Sequence, residues 1–137
     1  MIVDTSAVLA ILFHEDDALH YARAIETADT CRMSAANFLE AAINLDHRGD
    51  AAAGRQLDTF IERAQIDIEP VTLEQARIAR QAYLDYGKGR HPAGLNFGDV
   101  FAYALSKITG ESLLFKGRDF PQTDIAAVPF SGVEGET

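Results

Sequence analysis

Four acidic residues stand where carboxylates can do chemistry. Asp4 follows the apolar run 1–3, and Asp119 follows the apolar run 112–115. Glu40 and Asp99 each lie early in an amphipathic segment. Carboxylates gathered from separated segments make a hard, all-oxygen, negative pocket. Such a pocket suits a divalent cation such as magnesium, which leaves positions open for water and a substrate phosphate. Without a cation, like charge would keep any phosphate away.

Each acid also has an ordinary role open to it. Asp4 can cap the helix that follows it, as can Thr5 or Ser6. Asp99 can complete a capping box with Asn96, three residues before it, where its charge favours a helix N-terminus. Around Glu40, residues Phe38, Leu39, Ala42 and Ile43 read as an apolar face, and Asn37, Glu40, Asn44 and His47 as a polar stripe. A polar stripe suits open solvent as well as a cleft. Around Asp99, residues Phe97, Phe101, Leu105 and Ile108 mark a core face, with Asp99 nearly opposite. Asp119 by position is an ordinary loop acid. The argument therefore rests on the order and spacing of all four.

The elements that must position these acids are legible as an alternation. Short apolar runs at 1–4, 31–33, 66–71 and 112–115 read as strands, with a fifth at 126–129. Helices are expected over 5–13, 16–28, 35–48 (capped by Ser34 and stopped by Gly49), 52–64 and 73–86. A last helix runs from Asn96 to Thr109, closed by Gly110. Strands alternating with helices specify an α/β class, with a parallel sheet of four to five short strands flanked by helices. Ligands of such sheets bind beyond the carboxyl ends of the strands, where Asp4 and Asp119 fall. The 137 residues amount to one domain over 1–130, and the small acidic tail 131–137 is expected to fray.

Composition narrows the function. The net charge of −9, from 21 acids against 12 bases, argues against a broad basic face that coats nucleic acid. It leaves room for an enzyme that meets phosphates through metal ions, and equally for acidity that only aids solubility. No apolar run is long enough for a membrane span, and MIVDTSAVLAILF lacks the basic start of a secretory leader. With a single cysteine, Cys31, read as a core strand residue, the expected compartment is the cytoplasm. His14, His20, His47 and His91 show no ligand spacing and read as surface residues. Lys88, Arg90 and His91 cluster in a glycine-rich loop, and Lys116 and Arg118 flank the last acid. These could position phosphates or simply solubilise loops.

Taken together, the segments resemble PIN-domain nucleases, and most nearly the VapC toxins of bacterial toxin–antitoxin pairs. MIVDTSAVLAIL is similar to the family's opening motif, and SAANFLEAA to its second, with Glu40 as the acid. GLNFGDVFAYALSK is similar to the third, with Asp99, and LLFKGRDFPQTDI to the closing motif of one VapC subgroup. The resemblance implies a Rossmann-like PIN fold, usually homodimeric, that hydrolyses RNA phosphodiesters with Mg2+ or Mn2+ and is neutralised by a VapB-like antitoxin. It implies Asp4, Glu40 and Asp99 as metal-site acids, Ser6 as the hydroxyl supporting the first, and Lys88, Arg90 and Lys116 as substrate contacts. One departure stands out: many PIN domains carry an acid two residues before Asp119, where this chain has Gly117. Asp119 is the choice for the fourth acid, with Asp124 second. An inserted antitoxin Arg would suit the acidic cavity, beside a groove around Val8, Leu12 and Leu19.

Three rivals remain at this point. A PIN-like module could bind RNA or protein without cutting it, and a housekeeping PIN nuclease could share the same acids. A haloacid-dehalogenase-type phosphatase needs a second Asp where Ser6 stands, so that reading is poor.

Overall fold

A computed structural model describes residues 1–48 and 51–130. Strands β1 (Ile2–Val3), β2 (Cys31–Ser34), β3 (Ile66–Glu69) and β4 (Leu113–Leu114) form one parallel sheet in the order β3-β2-β1-β4. Ile2 pairs with Arg32 on one side and Leu113 on the other, so β1 is central. Both of its residues are fully buried, as a central parallel strand requires. The strand order reverses direction about β1, which opens a crevice beyond its carboxyl end.

Six helices cover the two faces: α1 (Thr5–Leu12), α2 (Ala18–Thr27), α3 (Ala35–His47), α4 (Ala51–Arg63), α5 (Leu73–Tyr86) and α6 (Asp99–Thr109). They divide the core in two. Val3, Val8, Met33, Leu45, Leu57 and Leu114 pack on the side of α1 to α4. Ile2, Leu95, Val100, Leu105 and Leu113 pack on the side of α5 and α6. Alternate residues of β1 and β4 thus serve opposite cores, as strand geometry dictates.

The α/β class and the parallel four-stranded sheet agree with the sequence, and the family fold is established below. Several details differ. Residues 126–129 do not form a fifth strand; Ala127 makes only an isolated bridge to Leu113. Val71 lies beyond the end of β3. Asp4, rather than Thr5 or Ser6, is the N-cap of α1, accepting from the Ser6 amide. Ser34 caps α3 as expected, whereas the expected stop at Gly49 and the tail 131–137 lie outside the described residues. Among the described residues no helix is long and apolar enough to cross a membrane.

The apolar faces read for two helices are also corrected. In α3, Asn37 is fully buried while Leu39 and Ile43 are each 58% exposed. Before and along α6, Phe97 is 77% exposed and Ile108 is exposed, whereas Val100, Ala104 and Leu105 are buried. Asn37 of α3 faces the start of α6, and Leu39, Ile43, Phe97 and Ile108 are left outside.

Candidate active site

Asp4 enters the crevice directly from the end of β1, and burial there dominates its electrostatics. It is only 4% exposed. Its Oδ2 accepts from the Ser6 amide (3.0 Å) and from the Ser6 hydroxyl (2.6 Å). The same hydroxyl oxygen accepts from the Lys116 amide at 2.9 Å, tying the exit of β4 to that of β1. Desolvation raises the Asp4 carboxyl to a pKa of about 6; the Ser6 hydrogen bonds oppose that rise, and the charge of Glu40 adds to it.

Glu40 reaches the same place from the second turn of α3. The Thr5 hydroxyl donates to its Oε1 at 2.6 Å, and the Asn37 amide lies at the 3.5 Å limit from the same oxygen. Asn37 also donates to the Gly98 carbonyl at 2.9 Å, joining α3 to the start of α6. Asp99 opens α6 and closes a reciprocal pair with Asn96. The Asn96 side chain accepts from the Asp99 amide at 2.9 Å, and Asp99 Oδ2 accepts from the Asn96 amide at 3.0 Å. The helix begins three residues later than the Asn96 start expected from sequence, although Asn96 does the capping. Desolvation pushes Asp99 up to about 7. The Asn96 bond opposes this, and the charges of Asp4, Asp119 and Glu40 raise it further.

Asp119 is exposed, just before a 3-10 turn at Phe120–Gln122, and its charge acts on Asp99. Asp124 is occupied elsewhere. It accepts from Tyr103 at 2.6 Å and pairs with Lys107 at 2.5 Å, and these hydrogen bonds lower its pKa. Gly117 has φ +126°, a conformation that L side chains rarely adopt. A side chain at this position, an acid included, would be strained.

The basic candidates are distributed differently from the acids. Lys116 Nζ pairs with Glu15 (2.7 Å) and Asp17 (3.0 Å), so its ammonium is already engaged. Lys88 and Arg90 are exposed in the loop after α5, with no ion pair to the four acids among the described residues. His91 Nδ1 accepts from the Ala93 amide, and the His20 ring packs on Phe130, so neither approaches the acids. His14 and His47 are exposed. Cys31 is buried, and burial raises its thiol pKa. Asn37 and Gly98 are the residues that sequence reasoning missed. The Asn-x-x-Glu spacing in SAANFLEAA was a signal, but it read as solvated.

The donor set fits a hard divalent ion. Three carboxylates from three elements each keep an oxygen outside the hydrogen bonds described, and no basic side chain pairs with them among the described residues. As they stand, no three described acidic, Cys or His side chains close round a single point. Oxygen donors of this kind are those that a hard divalent ion takes.

A parallel sheet with an acidic pocket at its carboxyl edge defines an α/β protein of the nuclease-like, carboxylate-site class. Residues 1–126 match the PIN domain family. Ribonuclease VapC28 of Mycobacterium tuberculosis is 55% identical over 126 residues, covering 91% of this chain and 95% of that protein. The crystal structure of VapC20 from the same organism, a toxin that cleaves the sarcin–ricin loop, superposes with a TM-score of 0.74 at 18% identity. The match covers 93% of this chain and 97% of that one. The VapBC-1 structure from nontypeable Haemophilus influenzae gives a TM-score of 0.71 at 13% identity, covering 95% and 97%. The chain belongs to the PIN-domain family and, within it, to the VapC ribonucleases.

The raised carboxyls predict an inverted pH response. Asp4 and Asp99 bind protons more tightly folded than unfolded, so their stabilising contribution is complete below about pH 4. It is lost as pH rises through about 6 and 7. In chelator, Asp4→Asn and Asp99→Asn should each flatten this loss and raise Tm at pH 8 by roughly 5 °C. Differential scanning calorimetry across pH 4–8 checks it, and a parent-like pH profile in both variants would refute the assignment of repulsion and burial.

Proposed function

We propose that the chain hydrolyses RNA phosphodiester bonds at the pocket of Asp4, Glu40 and Asp99, using Mg2+ or Mn2+, and that an antitoxin restrains it. The observation that carries this reading is the acidic convergence itself. Asp4 and Asp99 are raised chiefly by burial, Asp4 further by the charge of Glu40 and Asp99 by those of Asp4, Asp119 and Glu40, with no basic partner beside them among the described residues. Structural ion pairs would have had a cation in place; a pocket that keeps its charges unpaired is built for a cation from solution.

In this reading Asp4 and Asp99 hold the ion directly or through its waters, and Asp119 completes the negative rim. A bound divalent ion supplies neutralising charge for the phosphate and acidifies water for attack. Glu40, oriented by the Thr5 hydroxyl, holds the attacking water and takes its proton. Ser6 fixes Asp4 by its two bonds to Oδ2, leaving Oδ1 for the ion. Lys88 and Arg90 remain as phosphate contacts. Lys116 serves through its amide bond to Ser6 and could release its ammonium to substrate only by giving up Glu15 and Asp17.

The purified protein should cut RNA with Mg2+ or Mn2+ and fail in chelator. Asp99→Asn, which can still accept from the Asn96 amide, should lower turnover by about 10²-fold or more while remaining folded. Full activity in that variant would dismiss the site, and binding without cleavage under any divalent ion would favour the non-catalytic module.

The exposed Leu39, Ile43 and Phe97 support a homodimer formed across α3 and the approach to α6. Ile43→Glu should convert a dimer into a monomer in sedimentation experiments; a monomeric parent refutes this pairing.

For the antitoxin, Val8 offers nothing, since it is fully buried. Leu12 and Leu19 line separate grooves. The larger, about 1010 Å3, is bounded by Leu19, His20, Ala24 and Phe130, with Glu15, Asp16 and Asp17 on its rim. An amphipathic helix with basic flanks fits that combination, and an Arg following it would enter the acid pocket. Expression alone should arrest growth, and co-expression of the neighbouring gene's product should relieve the arrest. Harmless expression of a chain that cuts RNA in vitro would point to the housekeeping nuclease instead.

A further inference from the structure

We infer that Gly98 and Asn37 are positioning residues for Glu40, together setting how far its carboxylate enters the site beside Asp99. Two independent observations carry this. A Cβ at Gly98 would overlap both carboxylate oxygens of Glu40 and lie 2.7 Å from its carboxyl carbon. Real Cβ atoms do not approach other atoms so closely. The carboxylate therefore occupies the space that a side chain at position 98 would take. Gly98 is not a glycine for backbone reasons, because its φ of −68° and ψ of −40° suit any residue.

The second observation is Asn37. Its side chain is fully buried, and its Oδ1 has no hydrogen-bond partner among the described residues. An apolar residue there would remove that unmet acceptor but would take the Asn37 donor away from the Gly98 carbonyl. What the amide gains is direction: Nδ2 donates to the Gly98 carbonyl at 2.9 Å, and Glu40 Oε1 lies 3.5 Å away. One amide thus fastens the first turn of α3 to the peptide preceding Asp99 and borders the Glu40 carboxylate. Thr5 completes the frame, its hydroxyl placed against Glu40 Oε1 and the Asn37 carbonyl. Glu40 is held from α1, from its own helix and from the start of α6. The placing of the Glu40 carboxylate beside Asp99 thus depends on Thr5, on Asn37 and on the lack of a side chain at Gly98.

This inference rests on the proposed nuclease reading, and the test separates the two. Gly98→Ala adds one methyl at a helix-compatible position, so the protein should remain folded, with a parent-like circular dichroism spectrum. Displacing Glu40 should nonetheless lower RNA turnover by about 10- to 100-fold with little change in KM. Mn2+ affinity by calorimetry should weaken several-fold. In a Glu40→Ala background there is no carboxylate to displace, and Gly98→Ala should then change neither quantity further. Asn37→Ala, read by the same kcat and KM split, should fall in the same direction as Gly98→Ala. Parent-like turnover and Mn2+ affinity in Gly98→Ala overturn the inference, as does an equal loss with and without Glu40. If the parent itself cuts no RNA, the nuclease reading fails, and Mn2+ affinity alone decides the role of Gly98.

Discussion

Keeping like-charged carboxylates together without a counter-charge is the constraint around which this molecule is arranged. Asp4 sits at 4% exposure beside the charge of Glu40, and the charges of Asp4, Asp119 and Glu40 oppose the ionisation of Asp99. Left to themselves, such groups would rotate toward water. Each is restrained by a short local device instead: Ser6 on Asp4, Thr5 on Glu40, and the reciprocal Asn96 pair on Asp99. The sheet supplies the rest. A fully buried β1 fixes the point from which Asp4 emerges, and the packing of α3 and α6 brings the other two acids to it. On the proposed reading, the repulsion that remains is what a bound cation would relieve.

The same residues therefore answer to two descriptions that had looked like alternatives. Asp4 is a helix cap and a site acid, because one carboxylate oxygen caps α1 and the other is left over. Asp99 closes a capping box and faces the other acids for the same reason. A cap fixes a carboxylate in direction and distance at little cost, and metal sites need that fixity. The local chemistry of these acids was thus legible in the chain, as was the alternation of strand and helix that carries them.

What was not legible lies where a helix meets something other than the hydrophobic core. Hydrophobic periodicity assigns inside and outside by polarity. It placed Asn37 in solvent and Leu39 and Ile43 inside, and the structure reverses both. Asn37 is buried because the surface it meets is the backbone carbonyl of Gly98, which an apolar side chain cannot satisfy. Phe97 was misplaced by the same logic: two residues before the acid, it lies outside the helix whose period it matched. The weak strand at 126–129 failed because one bridge to Leu113 is all that the edge of this sheet accommodates.

The charge balance gains meaning from this arrangement. An enzyme that gripped nucleic acid through many lysines and arginines would bind it everywhere, with affinity governed by salt. Here net charge is −9, Lys116 is neutralised by Glu15 and Asp17, and exposed Lys88 and Arg90 stand apart from the acids. On the proposed reading, phosphate attraction would be concentrated at the pocket of Asp4, Glu40 and Asp99 rather than spread over the surface. An acidic exterior rejects phosphates that do not reach that pocket, so discrimination among RNAs falls to what can present one phosphodiester there. The same acidity would favour a basic protein segment, which at Glu15 and Asp17 would have to displace Lys116, already paired with both. On the proposed reading, substrate and inhibitor are sorted by sign: the polyanion would meet the acids through a divalent ion, and a cationic segment would take that ion's place.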